Sequence, residues 1–278
     1  MSHFLLSLLA IRAEDWAEVI ERARHVKNYT IDDLALANHV DPYERRREPD
    51  FDPLELLADF EVVDLREVPD EDRPSRGRSK GFRAARQVDA VMLHQTATDA
   101  LDPDHDRLLG LPAHCHIGER DDGTVVVTLL HKVTDYVYHG HAGNRFCIGV
   151  EVQCRAAGLV GNKRTFWRSK KDKTLGRTYD RLVREPSAGR LAAVRAVIRY
   201  YSALMELRGE PIKGVVTHRQ TAAKRSDPGQ AIARVGNDVV RELGLEDWSQ
   251  RTWGKSKKGR PQPDQWTGFN HGTPYFTK

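Results

Sequence analysis

The chain has 278 residues, 39% of them hydrophobic and 30% charged, which places it among polar globular proteins with enough material for one or two real cores. A formal charge of +4 suits an anionic polymer as partner, nucleic acid or cell wall, without choosing between them. No apolar run approaches the ~20 residues of a membrane helix, so membrane insertion is not expected.

In chain order, Phe4 to Ile11 is apolar but short, lacks a basic leader and runs at once into Arg12, Glu14 and Asp15, so it is not read as a signal peptide. Asp15 to Ala23 predicts a helix with Trp16, Val19, Ile20 and Ala23 on one face. Thr30 predicts the cap of a second helix, with Asp32 and Asp33 in its first turn and Asn38 near its end. Glu61 to Leu65 alternates like a strand. Residues 1–69 are therefore expected to form a small α+β unit. Its order of helix, helix and strand resembles a degenerate LysM module, a binder of peptidoglycan sugars; a plain helical cap on the main domain fits the same pattern. Residues 70–86, rich in charge, Pro, Ser and Gly, read as a linker.

The main domain is expected over residues 87–248. Val88 to Leu93 reads as a buried strand ending in His94, and Thr124 to Leu130 as a strand after the Asp121-Asp122-Gly123 turn. Tyr136 to His139 and Cys147 to Cys154 are further strand candidates. Cys115, Cys147 and Cys154 read as free thiols; Cys147 and Cys154 lie an odd number apart, and on one strand would face opposite sides. Ser187 to Leu207 predicts a long helix, with Pro186 and Ser187 at its start, Gly209 past its end, and Leu191, Val194, Ile198, Tyr201 and Leu204 as its buried stripe. Gly214 to Thr217 is a short strand leading into His218. Pro228 to Leu243 closes the domain as a helix with Ile232, Val235, Val239 and Leu243 inward. A basic insertion, 155–190, and a basic, aromatic-bearing tail, 249–278, stand outside this frame and read as solvated segments able to touch a polyanion.

Strands that end in polar residues deliver them to one sheet edge, where loops build sites. His94 ends the first core strand, His218 follows a late one, and Asp227 stands nine residues on, before Pro228-Gly229. If those strands are neighbours, two imidazoles and a carboxylate can converge and leave one zinc position open, as catalytic zinc sites do. Each residue alone has a plainer reading: a hydrogen-bonded histidine, or a helix cap for Asp227. His114-x-His116 and His139-x-His141 are rival pairs, each placing two imidazoles on one strand face.

Four motifs in order decide among these readings. They are Leu93-His94-Gln95-Thr96-Ala97; Ala113-His114-Cys115-His116-Ile117 with Asp121-Asp122-Gly123-Thr124; His139-Gly140-His141-Ala142-Gly143-Asn144 with Ile148-Gly149-Val150-Glu151; and Thr217-His218-Arg219 with Ser226-Asp227-Pro228-Gly229. Together, over Val88 to Gly244, they resemble the zinc-dependent N-acetylmuramoyl-L-alanine amidases of the type 2 family, whose superfamily includes peptidoglycan recognition proteins. The resemblance implies an α/β fold with a central mixed β-sheet flanked by helices. It also implies Zn2+ held by His94, His218 and Asp227, and hydrolysis of the amide between N-acetylmuramic acid and L-alanine in bacterial peptidoglycan or muropeptides. By position, Glu151 would be the general base and acid. Arg225, standing where relatives often have Lys, would hold the oxyanion. His141, His114 and Asn144 would line the substrate groove, although a structural role supporting the site suits His114 better. A tyrosine-assisted mechanism is not expected, because Ala113 stands where some relatives carry Tyr. The competing function is a recognition module of the same fold that binds without cutting; such relatives typically lose a zinc ligand, and this chain keeps all three. Nucleic-acid binding lacks any recognisable motif. The protein is expected to be made in the cytoplasm and to meet cell wall after release, or to act on cytoplasmic muropeptides.

Overall fold

Alternating apolar strands assemble into one six-stranded sheet in the computed structural model, which describes residues 51–98, 103, 106–253 and 259–275. The strands are β1 (Glu61–Asp64), β2 (Ala90–Gln95), β3 (Cys115–Glu119), β4 (Val125–Leu129), β5 (Cys147–Val152) and β6 (Gly214–Thr217). Their order is β1-β4-β3-β5-β2-β6. Only β3 and β4 pair antiparallel; every other neighbour is parallel, so the sheet is mixed. Parallel pairing of β2 with both β5 and β6 carries the C-terminal ends of all three to the same edge.

Strand periodicity separates two faces. One carries Val91, Leu93, Cys115, Ile117, Val127, Leu129, Ile148, Val150 and Val215, and packs with Val194, Val197, Ile198, Ile232 and Val239 of two long helices. These are α1 (Ala188–Leu207) and α2 (Gln230–Glu242). The Ser187 side chain caps α1 by accepting from the Arg190 N–H at 3.2 Å. The other face carries Ala90, Met92, His94, His114, His116, Cys147, Gly149, Glu151 and Val216. There Met92, Val216, Trp248 and Trp253 form a smaller aromatic-capped cluster. All three cysteines are free and buried. No helix among the described residues is long and apolar enough to cross a membrane.

Several expected boundaries shift. Residues 1–50, with the two predicted helices and the LysM-like order, lie outside the described residues. Glu61–Asp64, expected in a separate N-terminal unit ending at 69, is instead an edge strand of the main sheet, paired with Val126–Leu129 of β4. The expected linker 70–86 is folded onto the domain. Arg73 is buried because its guanidinium donates to the carbonyls of Val68, Leu65 and Leu130, and Arg83 because its own donates to those of Val133 and Asn144. Tyr136 to His139 is not a strand; Tyr136 N–H bonds the Gly81 carbonyl, and Tyr138 is exposed. Leu243, expected inward, is 40% exposed at the end of α2.

The tail is the largest revision. Trp266 is fully buried, its indole N–H on the Gly158 carbonyl at 2.5 Å. Asn237 of α2 donates to Gln262 Oε1 (2.8 Å), and Tyr275 donates to the Thr165 carbonyl (2.9 Å). The tail therefore seals the insertion against α2. Within the insertion Phe166, Leu182 and Val183 form their own buried cluster with Ala157.

Candidate metal centre

The sheet register builds the centre. His94 of β2 lies directly opposite Glu151 of β5, both on the face away from the long helices. β6, on the other side of β2, ends at Thr217, and His218 opens the single helical turn His218–Thr221. Asp227 comes from the loop before α2 and is drawn in by the strand beside it. Gln95 N–H donates to Asp227 Oδ1 at 3.0 Å, and the Gln95 side chain donates to the Ser226 carbonyl at 2.6 Å. His94 Nδ1 lies 2.9 Å from His218 Nδ1, which is 2.9 Å from Asp227 Oδ2. The three ligand atoms lie within 4.8 Å of one another.

A chain of hydrogen bonds fixes the protons. The Cys147 carbonyl can only accept, so His139 Nε2, 3.1 Å away, carries a hydrogen. His139 Nδ1 is then an acceptor, and takes the hydrogen of His94 Nε2 at 3.1 Å. That leaves His94 Nδ1 as a bare lone pair aimed at His218 and Asp227. Burial, then the neighbouring imidazoles of His218 and His139, hold His94 neutral by driving its pKa well below the usual histidine range. Two imidazole nitrogens and a carboxylate oxygen that converge in this way fit a zinc ion by donor type and protonation.

His139 reaches this position because β5 has glycine beneath it: a Cβ on Gly149 would stand 2.6 Å from His139 Cγ. Its role is invisible in the His-x-His spacing, since His139 is buried behind His94 while His141 is exposed on the rim with its ring 6.1 Å from His218. The two are not a pair on one strand face.

Glu151 faces the same point, with Oε1 3.9 Å from His94 Nδ1. Its Oε2 is buried without a hydrogen-bond partner among the described residues. Burial and the nearby Asp227 carboxylate push its pKa up to about 8, against the pull of Lys224 and Arg76. Lys224 is also felt by His94.

Two residues expected in the groove are buried. The charge of Arg225 is felt by Arg219 and Tyr275, and that of its neighbour Lys224 by Glu151 and His94. His114 is fully buried and faces no groove. Its Nδ1 accepts from the Gly149 N–H at 3.0 Å, leaving Nε2–H for the Asp135 carbonyl at 3.1 Å, with the Arg83 guanidinium beside it. Burial and that guanidinium keep His114 neutral, and it braces β3 against β5. Asn144 is likewise buried, its Oδ1 accepting from the Gly140 N–H at 2.5 Å to close the loop that presents His141.

Arg219 is a further residue that motif reading missed. It is buried, with burial lowering its pKa to about 10, and its guanidinium donates to the carbonyls of Pro261 and Arg225 at 2.8 Å each. Trp266 and Tyr275 cover it at 5.5 and 5.3 Å. Its backbone N–H donates to the Asp227 carbonyl at 3.0 Å, so the tail holds the loop that supplies the third donor.

Comparison with known proteins adds the following. The family model described as N-acetylmuramoyl-L-alanine amidase matches residues 84–230, more than half of the chain. No curated protein matches by sequence. Among solved structures the chain is similar to the endolysin N-acetylmuramoyl-L-alanine amidase LysCS of Clostridium intestinale, with 13% identity, a TM-score of 0.36, and coverage of 67% of this chain and 97% of that one. It is also similar to AmpDh3 of Pseudomonas aeruginosa, solved with an anhydromuramic pentapeptide, with 18% identity, a TM-score of 0.38, and coverage of 62% and 66%.

Proposed function

We propose that this chain, which belongs to the N-acetylmuramoyl-L-alanine amidase family, hydrolyses the amide between N-acetylmuramic acid and L-alanine in bacterial peptidoglycan or its soluble fragments. The observation that carries the reading is the convergence of His94, His218 and Asp227 beside the Glu151 carboxyl, with His94 Nδ1 stripped of its proton by the His139 chain. A zinc ion held by His94, His218 and Asp227 would supply Lewis-acid polarisation of the scissile carbonyl.

The chain's own groups supply the rest. Glu151 stands beside the converging donors, its Oε1 3.9 Å from His94 Nδ1. Glu151 accepts the proton that the attacking water loses as its oxygen bonds the carbonyl carbon. It returns that proton to the alanine nitrogen as the C–N bond breaks, so the amine leaves neutral. Lys224, whose charge reaches Glu151 and His94, is positioned to offset the negative charge that grows on the carbonyl oxygen. His141, exposed near His218, is the residue that would contact the substrate's oxygens.

The test is digestion of purified peptidoglycan with and without a chelator, followed by mass spectrometry of the products. Release of stem peptides beginning with L-alanine, lost on chelation and restored by zinc, is expected. Tight binding with no cleavage would replace this reading with that of a recognition module.

A further inference from the structure

Trp167 stands out in the insertion beside the loop that carries Asp227. Its neighbour Phe166 is buried in the insertion's own cluster, whereas Trp167 is 54% exposed. Isolated exposed aromatics are ordinary, but this one is tied to the metal loop. Its backbone N–H donates to the hydroxyl of buried Ser226 at 3.1 Å, and Ser226 precedes Asp227. The Lys224 ammonium lies over its ring at 5.6 Å, and that same charge is felt by Glu151 and His94. An indole fixed at its backbone to the loop that carries Asp227 and open on its ring is a surface able to bind substrate near that loop.

We infer that Trp167 forms a sugar subsite, in which the indole face not covered by Lys224 stacks on a pyranose ring of the substrate's glycan portion. The inference rests on the proposed bond. Of the two groups which that bond joins, alanine offers only a methyl, while the sugar offers a ring-sized face of C–H bonds that matches an indole in area and in the sign of its quadrupole.

Titration of the metal-free protein with N-acetylglucosamine oligomers, read by isothermal calorimetry, tests the subsite apart from catalysis. Binding by the wild type that is lost in Trp167→Ala and kept in part in Trp167→Phe is expected. Equal affinity in wild type and Trp167→Ala, or no binding by either, would overturn the subsite. So would binding of a free alanine-initiated stem peptide, lost in Trp167→Ala, as tight as that of the sugars. In the zinc-loaded enzyme, Trp167→Ala is expected to raise KM for glycan-bearing peptidoglycan fragments roughly tenfold, with the loss in KM rather than kcat. An unchanged KM would overturn the inference. Sugar binding that depends on Trp167, without cleavage by the wild type, would instead overturn the amidase reading and leave the subsite standing.

Discussion

The two faces of the sheet are made by the same strands and obey opposite rules. The face under α1 and α2 is aliphatic, from Val91 and Leu93 across to Val127 and Leu129, and each residue on it is replaceable by another of similar volume. The opposite face places His94, Glu151, His116 and Thr128 in register across four adjacent strands. His116 has both ring nitrogens, Glu151 its Oε2 and Thr128 its hydroxyl buried without hydrogen-bond partners among the described residues. Unsatisfied buried polar groups cost free energy. The first face supplies the stability from which the second draws, so damage to the two is expected to read out in different measurements.

The sharpest contrast comes from the reacting groups. Asp227→Ala is expected to lose bound zinc and essentially all turnover, checked by elemental analysis and product release. Glu151→Gln should keep zinc and lose roughly 10²–10⁴-fold in kcat. A Glu151→Gln enzyme with near-normal rates would remove Glu151 from the proton path. On the other face, Leu93→Ala, one residue from His94, is expected to cost about 2–5 kcal/mol in chemical denaturation while the folded fraction still binds zinc. Metal loss without destabilisation would erase the distinction between the faces.

Smaller effects sharpen the comparison. His139→Phe keeps an aromatic ring over Gly149 but removes the acceptor that fixes the His94 tautomer. Zinc affinity should fall about 10–100-fold, measured by competition with a chromogenic chelator. The mildest effect is one of pH. Burial pushes the His116 pKa down to about 3, below its unfolded value of about 6.5. Its depressed pKa means that the unfolded chain takes up the proton first. The native state is thus undisturbed above pH ~6.5 and loses stability as pH falls from there toward 3. Between pH 7 and 5 the wild type should lose about 2 kcal/mol more than His116→Leu in urea titrations. Parallel pH profiles for the two proteins would contradict a neutral, buried His116.

The legibility of the molecule follows the same division. The aliphatic face and its helices were readable because periodicity is local: the Ser187 cap, the α1 stripe and Gly214–Thr217 are each contained in a short stretch. The convergence of His94, His218 and Asp227 was readable because strand ends and motif order carried them. His139 was not, since its function is a proton position dictated by the Cys147 carbonyl across a loop. Arg73, Arg83 and Arg219 were hidden for a different reason: composition marks arginine as surface, and only the fold reveals carbonyls gathered to receive it. β1 escaped assignment to the sheet because its partner lies some sixty residues further along the chain. Trp266 escaped because a polar, glycine- and proline-bearing sequence conceals a single large anchor.

That anchor has a consequence in time. On a growing chain His94, Glu151, His218 and Asp227 all emerge before Pro261, Trp266 and Tyr275, the residues that enclose Arg219 and through it hold the Asp227 loop. A ribosome-bound fragment ending near residue 250 already carries every donor, yet lacks the latch that holds the last of them. Assembly of the centre is thereby deferred until the residues beyond 260 have emerged.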